Sequence, residues 1–377
     1  MQEFSFDLLR RWPDIEADNL FAVDASDRLI LDEAASALES ATPGEVVVIE
    51  DHYGALTLGA AALHGARGIR VHQDGLSGQR ALAANASELG LADVYSSLPL
   101  GSELLTGARV VLLQLPRSLG ALDEIAESIA RFAAPDVRVF AGGRIKHMTA
   151  AMNAVLSRHF DSVSASLARQ KSRVLTASEP AVPAPDVPSA WPHREYHADI
   201  DLTICAHGAA FAGTSLDIGT RYLLEFIDRM KADATSVIDL GCGTGVLAVS
   251  LARARPGLHV IASDQSAAAV ASAAATAAEN GVADRVQVVQ DDALSSQPDA
   301  SADLIVLNPP FHIGSSVHAG IALKLFEDAG RVLRPGGELW TVWNTHLGYR
   351  PPLTRLVGPT HQVGRNTKFT VTVSTGR

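Results

Sequence analysis

The chain has 377 residues, 47% hydrophobic and 19% charged, which is typical of a globular protein with two domains. Its two cysteines, Cys205 and Cys242, exclude a disulfide framework and a Cys-x-x-Cys metal site, and they fit a reducing compartment. The acidic start of the chain is not a signal peptide, and no stretch is apolar for the length of a membrane span. We expect a cytoplasmic protein without membrane contact, and a monomer.

Charge is unevenly distributed along the chain. The formal net charge of −11 argues against nucleic-acid binding. Residues 137–173 nevertheless carry a net charge of +6 and residues 339–377 one of +5, so the remainder carries −22. Such segregation can build a phosphate-binding face on an acidic protein, although chance clustering on solvated faces explains it equally well.

The first half of the chain alternates predicted strands with predicted helices, which favours a parallel, doubly wound α/β sheet. Strand patterns cover Val46–Glu50, Ile69–Gln73, Val110–Gln114 and Val137–Ala141. Helical patterns cover Tyr53–His64, Ser77–Gly90 (with a turn at its end) and Leu119–Phe132.

A proline-rich segment separates the two halves. Five prolines lie between Glu179 and His193, a density that forbids helix and disfavours a central strand. We therefore expect a first domain at residues 1–177, a linker at residues 178–193 and a second domain at residues 194–377.

The second half shows the same alternation, and again predicts a parallel, doubly wound sheet. Its predicted strands are Val237–Leu240, His259–Ser263, Val286–Gln290, Asp303–Leu307, Glu338–Trp343 and Lys368–Ser374. Its predicted helices are Val246–Ala254, Ser266–Asn280 and Ala319–Leu333. The second of these helices stops at Gly281, a residue that commonly ends helices.

The two halves are related to each other in sequence. An alanine-rich helix with the turn after it occurs at residues 84–94 and again at residues 274–284, within the same order of elements. This similarity predicts an internal duplication.

The first copy lacks the chemical motifs of the second. Where the second copy has Asp239–Gly245 and Asn308–Phe311, the first has Glu50–Gly54 and Gln114–Arg117. We therefore expect the first copy to be structural or to position RNA, and not to be catalytic.

The segment Asp239–Gly245 reads Asp-x-Gly-x-Gly-x-Gly between a predicted strand and a predicted helix. Glycines at such a turn allow positive φ and close approach of a ligand. A dinucleotide fingerprint would place Gly or Ala at position 246, where this chain has Val246. The spacing favours S-adenosylmethionine (SAM) over NAD or a plain tight turn. The candidate cofactor residues here are Asp239, Gly241, Gly243 and Gly245.

Acidic residues follow the next two strands. Asp264 can accept hydrogen bonds from both ribose hydroxyls of a nucleotide cofactor, or can instead cap the helix that follows it. Asp292 can accept a hydrogen bond from the adenine amino group, or can be a solvated loop residue, and its neighbour Asp291 leaves the choice open. The adjacent Gln265 and Ala293 complete this set of candidate cofactor contacts.

The segment Asn308-Pro309-Pro310-Phe311 is the most informative in the chain. The prolines remove two N–H donors and hold the residue before each of them extended, which leaves the Asn308 side-chain oxygen and the Pro309 carbonyl as a rigid edge of acceptors. Such an edge can hold both hydrogens of an exocyclic NH₂ while Phe311 stacks on the planar group. Asn308 also lies within reach of a cofactor. Positioning and electrostatics suffice for methyl transfer to that nitrogen, so we expect no metal.

Two neighbouring segments add further candidates. Residues 211–220 precede the cofactor strand and can close over the methionine end of SAM, which makes Phe211 and Asp217 candidate cofactor residues. Asp217 can equally be the cap of a helix. His312 can contact substrate or accept a proton, but we favour an ordinary polar loop residue.

With these residues the chain resembles the ribosomal RNA guanine-N2 methyltransferases of the small methyltransferase domain family. The resemblance covers the whole second half and, more weakly, the first. It rests on Leu216–Gly219, Val237–Val246, Asn308–His312, Asn344–Tyr349, Asn366–Phe369, Arg11–Pro13 and Asp51–Leu56.

The resemblance implies two tandem class I methyltransferase-like, Rossmann-like domains, of which the first is degenerate and assists RNA binding. It implies SAM-dependent methylation of guanine N2 in ribosomal RNA, with free RNA, a ribosomal subunit or an assembly particle as the partner. The pattern at Asn344–Tyr349 favours the large-subunit (23S) enzyme over the small-subunit (16S) one.

Three alternatives stay open. The same acceptor edge can serve methylation of adenine N6 or of a protein glutamine amide, although Phe311 and the duplicated first half disfavour the latter. A non-catalytic RNA-binding or ribosome assembly factor is disfavoured by the intact glycines, Asp264 and Asn308.

Overall fold

The computed structural model describes residues 4–14, 16–17, 19–184, 186–310 and 316–377, except the side chains of residues 316–319. It forms two compact units, Met1–Trp191 and Pro192–Arg377, and the change from one to the other falls within the proline-rich segment. Each unit is an α/β fold with its own seven-stranded sheet.

The first unit begins with helix α1 and then alternates strands and helices. Its strands are β1 (Val46–Ile49), β2 (Ile69–His72), β3 (Tyr95–Ser97), β4 (Val110–Gln114), β5 (Arg138–Arg144), β6 (Phe160–Ala165) and β7 (Ser172–Pro180). Its helices are α1 (Ala25–Ser40), α2 (Ala55–His64), α3 (Leu76–Glu88), α4 (Ser102–Leu105), α5 (Leu119–Phe132) and α6 (Ala150–Leu156).

The second unit repeats this plan after a short hairpin. Its strands are β8 (His193–His197), β9 (Leu202–Ala206), β10 (Ser236–Leu240), β11 (His259–Asp264), β12 (Val286–Gln290), β13 (Ala302–Leu307), β14 (Leu333–Asn344), β15 (Thr360–Arg365) and β16 (Phe369–Thr375). Its helices are α7 (Ile218–Leu224), α8 (Val246–Ala254), α9 (Ala267–Glu279), α10 (Ser316–Val332) and α11 (Arg350–Leu356).

The two sheets have the same strand order. It is β3-β2-β1-β4-β5-β7-β6 in the first unit and β12-β11-β10-β13-β14-β16-β15 in the second. In both sheets the first five strands of this order are parallel. Helical crossovers join them along the chain, except between β12 and β13, where no helix lies among the described residues. The shared order confirms the predicted tandem α/β architecture and agrees with an internal duplication.

The expectation of wholly parallel sheets was wrong at one edge of each sheet. The last two strands of each unit, β6 and β7 or β15 and β16, pair antiparallel with each other. The returning strand, β7 or β16, also pairs antiparallel with β5 or β14. A tight connection lets a strand return in this way without a helical crossover, so each sheet is mixed.

The cores lie on both faces of the central strands, as parallel sheets require. Val46 and Val48 of β1 pack into one apolar cluster, whereas Val47 and Ile49 pack into another. In the second unit Val237 and Ile238 of β10 are divided between two clusters in the same way. Alternate residues of a strand point to opposite faces, so a continuous apolar run is the expected pattern.

The β8–β9 hairpin is fastened to helix α9 by side chains. Ser272, Thr276 and Asn280 accept hydrogen bonds from the backbone amides of every second residue from Thr203 to His207, at 2.9–3.0 Å. The start of the segment that leads from β9 to α7 is therefore held against the helix that follows β11. Within the part of the chain that the structure describes, helices long and apolar enough to cross a bilayer are absent.

Candidate active site

The candidate site lies at the carboxyl ends of β10, β11, β12 and β13. In an open α/β sheet this edge, near the point where strand order reverses, is where ligands bind. The four parallel strands are in register, with Ile238 opposite Ile261 on one side and Ile305 on the other. The loops after these strands consequently open side by side.

The loop after β10 has the predicted shape of a ligand cradle. Gly241, Gly243 and Gly245 have φ values of +69°, +53° and +77°, a region that other residues enter with strain. A Cβ at Gly245 would lie 2.9 Å from that of Ala273, so this glycine is needed for helix packing. A Cβ at Gly241 or Gly243 would meet no atom within 4 Å, so open space lies beside those two glycines.

Asp239 anchors the helix that begins at this loop. Its Oδ2 accepts a hydrogen bond from the backbone amide of Ala248 at 3.0 Å. Its Oδ1 is buried and has no hydrogen-bond partner among the described residues. Burial, with a smaller contribution from the charge of Asp264, raises the pKa of Asp239 to about 7. An uncompensated buried acceptor costs about 1–3 kcal/mol, so a ligand that donates to it would be stabilised.

Asp264 links the cradle to the next loop. Its two carboxylate oxygens accept hydrogen bonds from the backbone amides of Gly243 and Ser266, each at 3.0 Å. The cap of helix α9 is Ser266, whose hydroxyl accepts from the amide of Ala269. The alternative that Asp264 is the helix cap was therefore wrong. The carboxylate instead lies at the end of β11, between the cradle and the start of α9.

The loop after β12 separates the roles of its two acidic residues. Asp291 is buried and accepts hydrogen bonds from Ser295, Ser296 and the amide of Asp292. Burial alone would raise the pKa of Asp291, but these hydrogen bonds outweigh it and hold the pKa below its ordinary value. Asp291 thus stabilises the loop itself, and the adjacent Asp292 pairs with Lys324 of α10 at 2.5 Å.

Two further residues of the predicted set, Ala293 and Gln265, accept hydrogen bonds through their backbone carbonyls. Ala293 has a φ of +57°, uncommon for a residue with a side chain, and its carbonyl accepts from the buried Ser263 hydroxyl at 3.1 Å. The carbonyl of Gln265 accepts from the side chain of Gln290 at 3.0 Å. A strained backbone such as that of Ala293 is common in ligand-binding loops.

Asn308 lies at the end of β13, beside the start of helix α7. Its Nδ2 donates to the Asp217 carboxylate at 2.8 Å and to the Thr220 hydroxyl at 2.9 Å. Its Oδ1 is buried and without a hydrogen-bond partner among the described residues. Asp217 is the N-cap of α7, as one of its two predicted interpretations required.

For the remaining predicted residues the structure gives the position in the chain and the burial. Pro309 is buried and Pro310 is exposed, directly after Asn308. Phe211 belongs to the loop before α7, with 61% of its surface exposed. Phe311 and His312 lie outside the described residues. The prediction omitted Thr220 and Lys324, because their contacts join segments far apart in sequence, and local motifs carry no signal for such contacts.

The first unit keeps the backbone shape of the cradle but has a glycine at only one of the three positions. The loop after β1 has positive φ at Glu50, His52 and Gly54 (+60°, +62° and +101°), the same alternation as in the second unit. Two side chains thus stand at the positions where the second unit has open space. The Glu50 carboxylate also accepts a hydrogen bond from the amide of Asp74 at 2.8 Å.

Comparison with known proteins identifies this arrangement. The methyltransferase small domain family matches residues 201–373, and the RLMG N-terminal domain family matches residues 2–181. The second unit is thus a class I methyltransferase, an enzyme that uses SAM, and the residues of its cradle fit that cofactor. At the level of the whole chain, the protein belongs to the ribosomal RNA large subunit methyltransferase G family.

The relatives match along nearly the whole chain. Ribosomal RNA large subunit methyltransferase G of Shewanella amazonensis is 34% identical over 96% of this chain and 94% of its own length. The protein of that name from Streptomyces avermitilis is 34% identical over 96% and 95%. Membership confirms the predicted family, the SAM-dependent rRNA methyltransferase activity and the preference for the large-subunit enzyme.

A solved structure shares the fold of both units. The 16S rRNA N2 G1207 methyltransferase RsmC of T. thermophilus, in complex with AdoMet and guanosine, aligns with a TM-score of 0.70 and 22% identity. The alignment covers 96% of this chain and 97% of that one. At this level of identity the match supports the predicted tandem fold.

Proposed function

We propose that this protein transfers the methyl group of SAM to the exocyclic N2 amine of a guanine in large-subunit ribosomal RNA. One observation supports this choice of acceptor most directly: the buried Oδ1 of Asn308, oriented by its own amide group, has no hydrogen-bond partner among the described residues. An exocyclic amine is a donor that fits such an acceptor. Family membership supports ribosomal RNA as the substrate class.

The chemistry assigned to the chain is binding and orientation. The guanine N2 lone pair is delocalised into the ring, which makes the amine a poor nucleophile. Asn308 Oδ1 and the Pro309 carbonyl accept hydrogen bonds from its two N–H groups and hold the nitrogen in line for attack. Bound SAM supplies an electrophilic methyl group. The guanine must leave its helix to reach Asn308, and Phe311 is proposed to stack on the extruded base.

The cofactor-binding roles are proposals that the loop geometry supports. Gly241 and Gly243 leave space for the cofactor, and Asp239 offers it a buried acceptor. Asp264 is proposed to hold the ribose hydroxyls and Asp292 the adenine amino group. The proposed cofactor contacts are completed by Gly245, Gln265, Ala293, Asn308, Phe211 and Asp217.

For the first domain, placed at residues 1–177, we propose a role in RNA positioning. Of its basic stretch, Arg158 pairs with Asp123, and Arg169 pairs with Asp32. By contrast, Lys146, Lys171 and Arg173 are exposed and have no ion-pair partner among the described residues.

These three residues meet where β5 and β7 pair. Arg173 is opposite Gly143 in the ladder, and the amide of Ile145 donates to the carbonyl of Lys171. The positive field there is visible at His147: burial first, then the charges of Arg117, Lys146 and Arg144, lower its pKa. Such a surface suits phosphate contacts. We further propose that the protein is a cytoplasmic monomer acting on ribosomal RNA or an assembly particle.

Mass analysis of digested 23S rRNA tests the proposal. A strain without this protein should lack one N2-methylguanosine, and the wild-type protein should restore it. Asn308→Ala should lower kcat by roughly 10²–10³-fold, because one oriented hydrogen-bonding group is lost, with little change in SAM affinity. Gln114→Ala, the counterpart in the first unit, is the matched control. The appearance of N6-methyladenosine instead, or a full rate for Asn308→Ala, would refute the assignment.

A further inference from the structure

The orientation of the Asn308 amide is set by its neighbours at the start of α7. The Asp217 carboxylate can only accept hydrogen bonds, so it fixes the NH₂ side of the amide toward itself, at 2.8 Å. The Thr220 hydroxyl takes the second hydrogen at 2.9 Å. The opposite side of the amide, Oδ1, must therefore face away from both residues. With the reverse orientation, an NH₂ would meet an incoming amine, and two donors would oppose each other.

The first unit contains the same arrangement with a different outcome. Sheet register places Gln114 where the second unit has Asn308, because Ile49 pairs with Leu113 as Leu240 pairs with Leu307. The Gln114 amide also meets the start of a helix, α1. There Nε2 donates to Asp27 and Ser26, and the Ser26 hydroxyl lies 3.3 Å from Oε1.

The helix starts of the two units correspond residue by residue. Asp24 and Asp217 are the N-caps of α1 and α7. Three residues later, Asp27 and Thr220 each accept from the amide. Between them the first unit has Ser26, which covers the amide oxygen. The second unit has Gly219 there.

Gly219 places no side chain against the Asn308 amide. A Cβ at this position would lie 3.1 Å from Asn308 Oδ1 and 3.0 Å from Asp217 Oδ2, closer than ordinary van der Waals contact. The φ of Gly219 is not in the left-handed region, so backbone freedom does not account for the glycine. The close approach of the Asp217 carboxylate and the Asn308 amide does.

We propose that Asp217 and Thr220 are positioning residues that fix the Asn308 amide with its oxygen toward the substrate amine, and that Gly219 keeps a competing side chain away from that oxygen. The inference rests on the proposed function. It gives Asp217 a role in orienting Asn308, and the test below separates that role from cofactor binding.

The hydrogen bond that Asn308 donates to Thr220 is tested by a matched pair of variants in the full-length protein. Thr220→Val removes the hydroxyl but keeps the shape, and should lower kcat by roughly tenfold, the loss of one hydrogen bond. Thr220→Ser restores the hydroxyl and should rescue most of that loss. The Kd for SAM, measured by calorimetry, should stay unchanged in both.

The role of the Asp217 carboxylate is tested by replacing it with Ser and with Asn, because both of these residues cap helices well. Asp217→Ser keeps the cap but is too short to reach Asn308, and should lower kcat by roughly 10–100-fold. Asp217→Asn keeps an acceptor oxygen, and should lose less. A raised Kd for SAM with unchanged kcat would place Asp217 in the cofactor site and overturn the proposal.

The role of Gly219 is tested by two variants, one of which introduces the serine that the first unit has at the corresponding position. Gly219→Ala adds only a Cβ, whereas Gly219→Ser also adds the hydroxyl that Ser26 has in the first unit. The serine variant should have the lower kcat of the two, at equal SAM affinity. Equal rates for both variants and wild type would refute the role of Gly219. If the wild-type protein forms no N2-methylguanosine, the proposed function fails instead, and the two failures are thereby distinguished.

Discussion

Asp264 offers the most quantitative test of the cofactor site. Its carboxylate holds the amides of Gly243 and Ser266 at 3.0 Å each, and it is proposed to bind the ribose of SAM as well. Asp264→Ala removes a charged acceptor that both the cradle amides and the bound SAM would use. Hydrogen bonds to a charged group contribute about 1.5–3 kcal/mol, so the Kd for SAM should rise roughly ten- to hundredfold.

Gln73 provides the matched control, because sheet register places it in the first unit where Asp264 lies in the second. His72 is opposite Ile49, as Ser263 is opposite Leu240, and Gln73 and Asp264 come next. Gln73→Ala should leave the Kd for SAM unchanged. Isothermal titration calorimetry gives the affinity, and thermal unfolding shows that each variant is folded. A folded Asp264→Ala variant that binds SAM within twofold of wild type would refute the reasoning.

Three further predictions follow from features of both units. Calorimetry should show one SAM per chain, because Glu50 and His52 replace the open glycines in the first cradle; two sites would contradict this. Replacing Lys146, Lys171 and Arg173 together by Ala should weaken RNA binding and reduce its salt slope by about 0.7–0.9 per lost phosphate contact, with SAM affinity unchanged. The ion-paired Arg158 and Arg169 form the control set, and an equal effect there would argue against a specific surface. Burial raises the pKa of Asp27 to about 7 in the folded protein, whereas its pKa in the unfolded chain is about 4. The unfolded state therefore loses a proton first, so this residue's contribution to stability is full below about pH 4 and is lost as pH rises to about 7. Asp27→Asn should flatten that decline in urea unfolding, and an unchanged pH profile would count against it.

Much of each sheet was predictable because its central strands are continuous apolar runs. The buried strand Val110–Gln114 was located to the residue, as were helices Val246–Ala254 and Leu119–Phe132. Burial on both faces allows no polar interruption, and the flanking turns are marked by glycine or proline. The glycine cradle was predictable for the same reason, since positive φ restricts the choice of residue.

Several exposed strands and the links between distant residues were not predictable. Strands β6, β8 and β15 expose much of their length, so they lack an apolar signature. Helix α1 was missed as well, although Asp24 and Asp27 form a capping box at its start. The contact between Asn308 and Asp217 joins residues 91 positions apart, and only the folded chain brings them together.

The attachment of β9 to α9 depends on the similar distances that four residues of a helix and two residues of a strand span. Four residues of helix advance about 6.0 Å along its axis, and two residues of strand advance about 6.6 Å. Ser272, Thr276 and Asn280 are spaced by four, and the amides they meet are spaced by two, so the helix serves as a substitute strand. One inserted residue between Ser272 and Thr276 would turn the later side chains about 100° away. The spacing of these three side chains is therefore set by the strand that they meet.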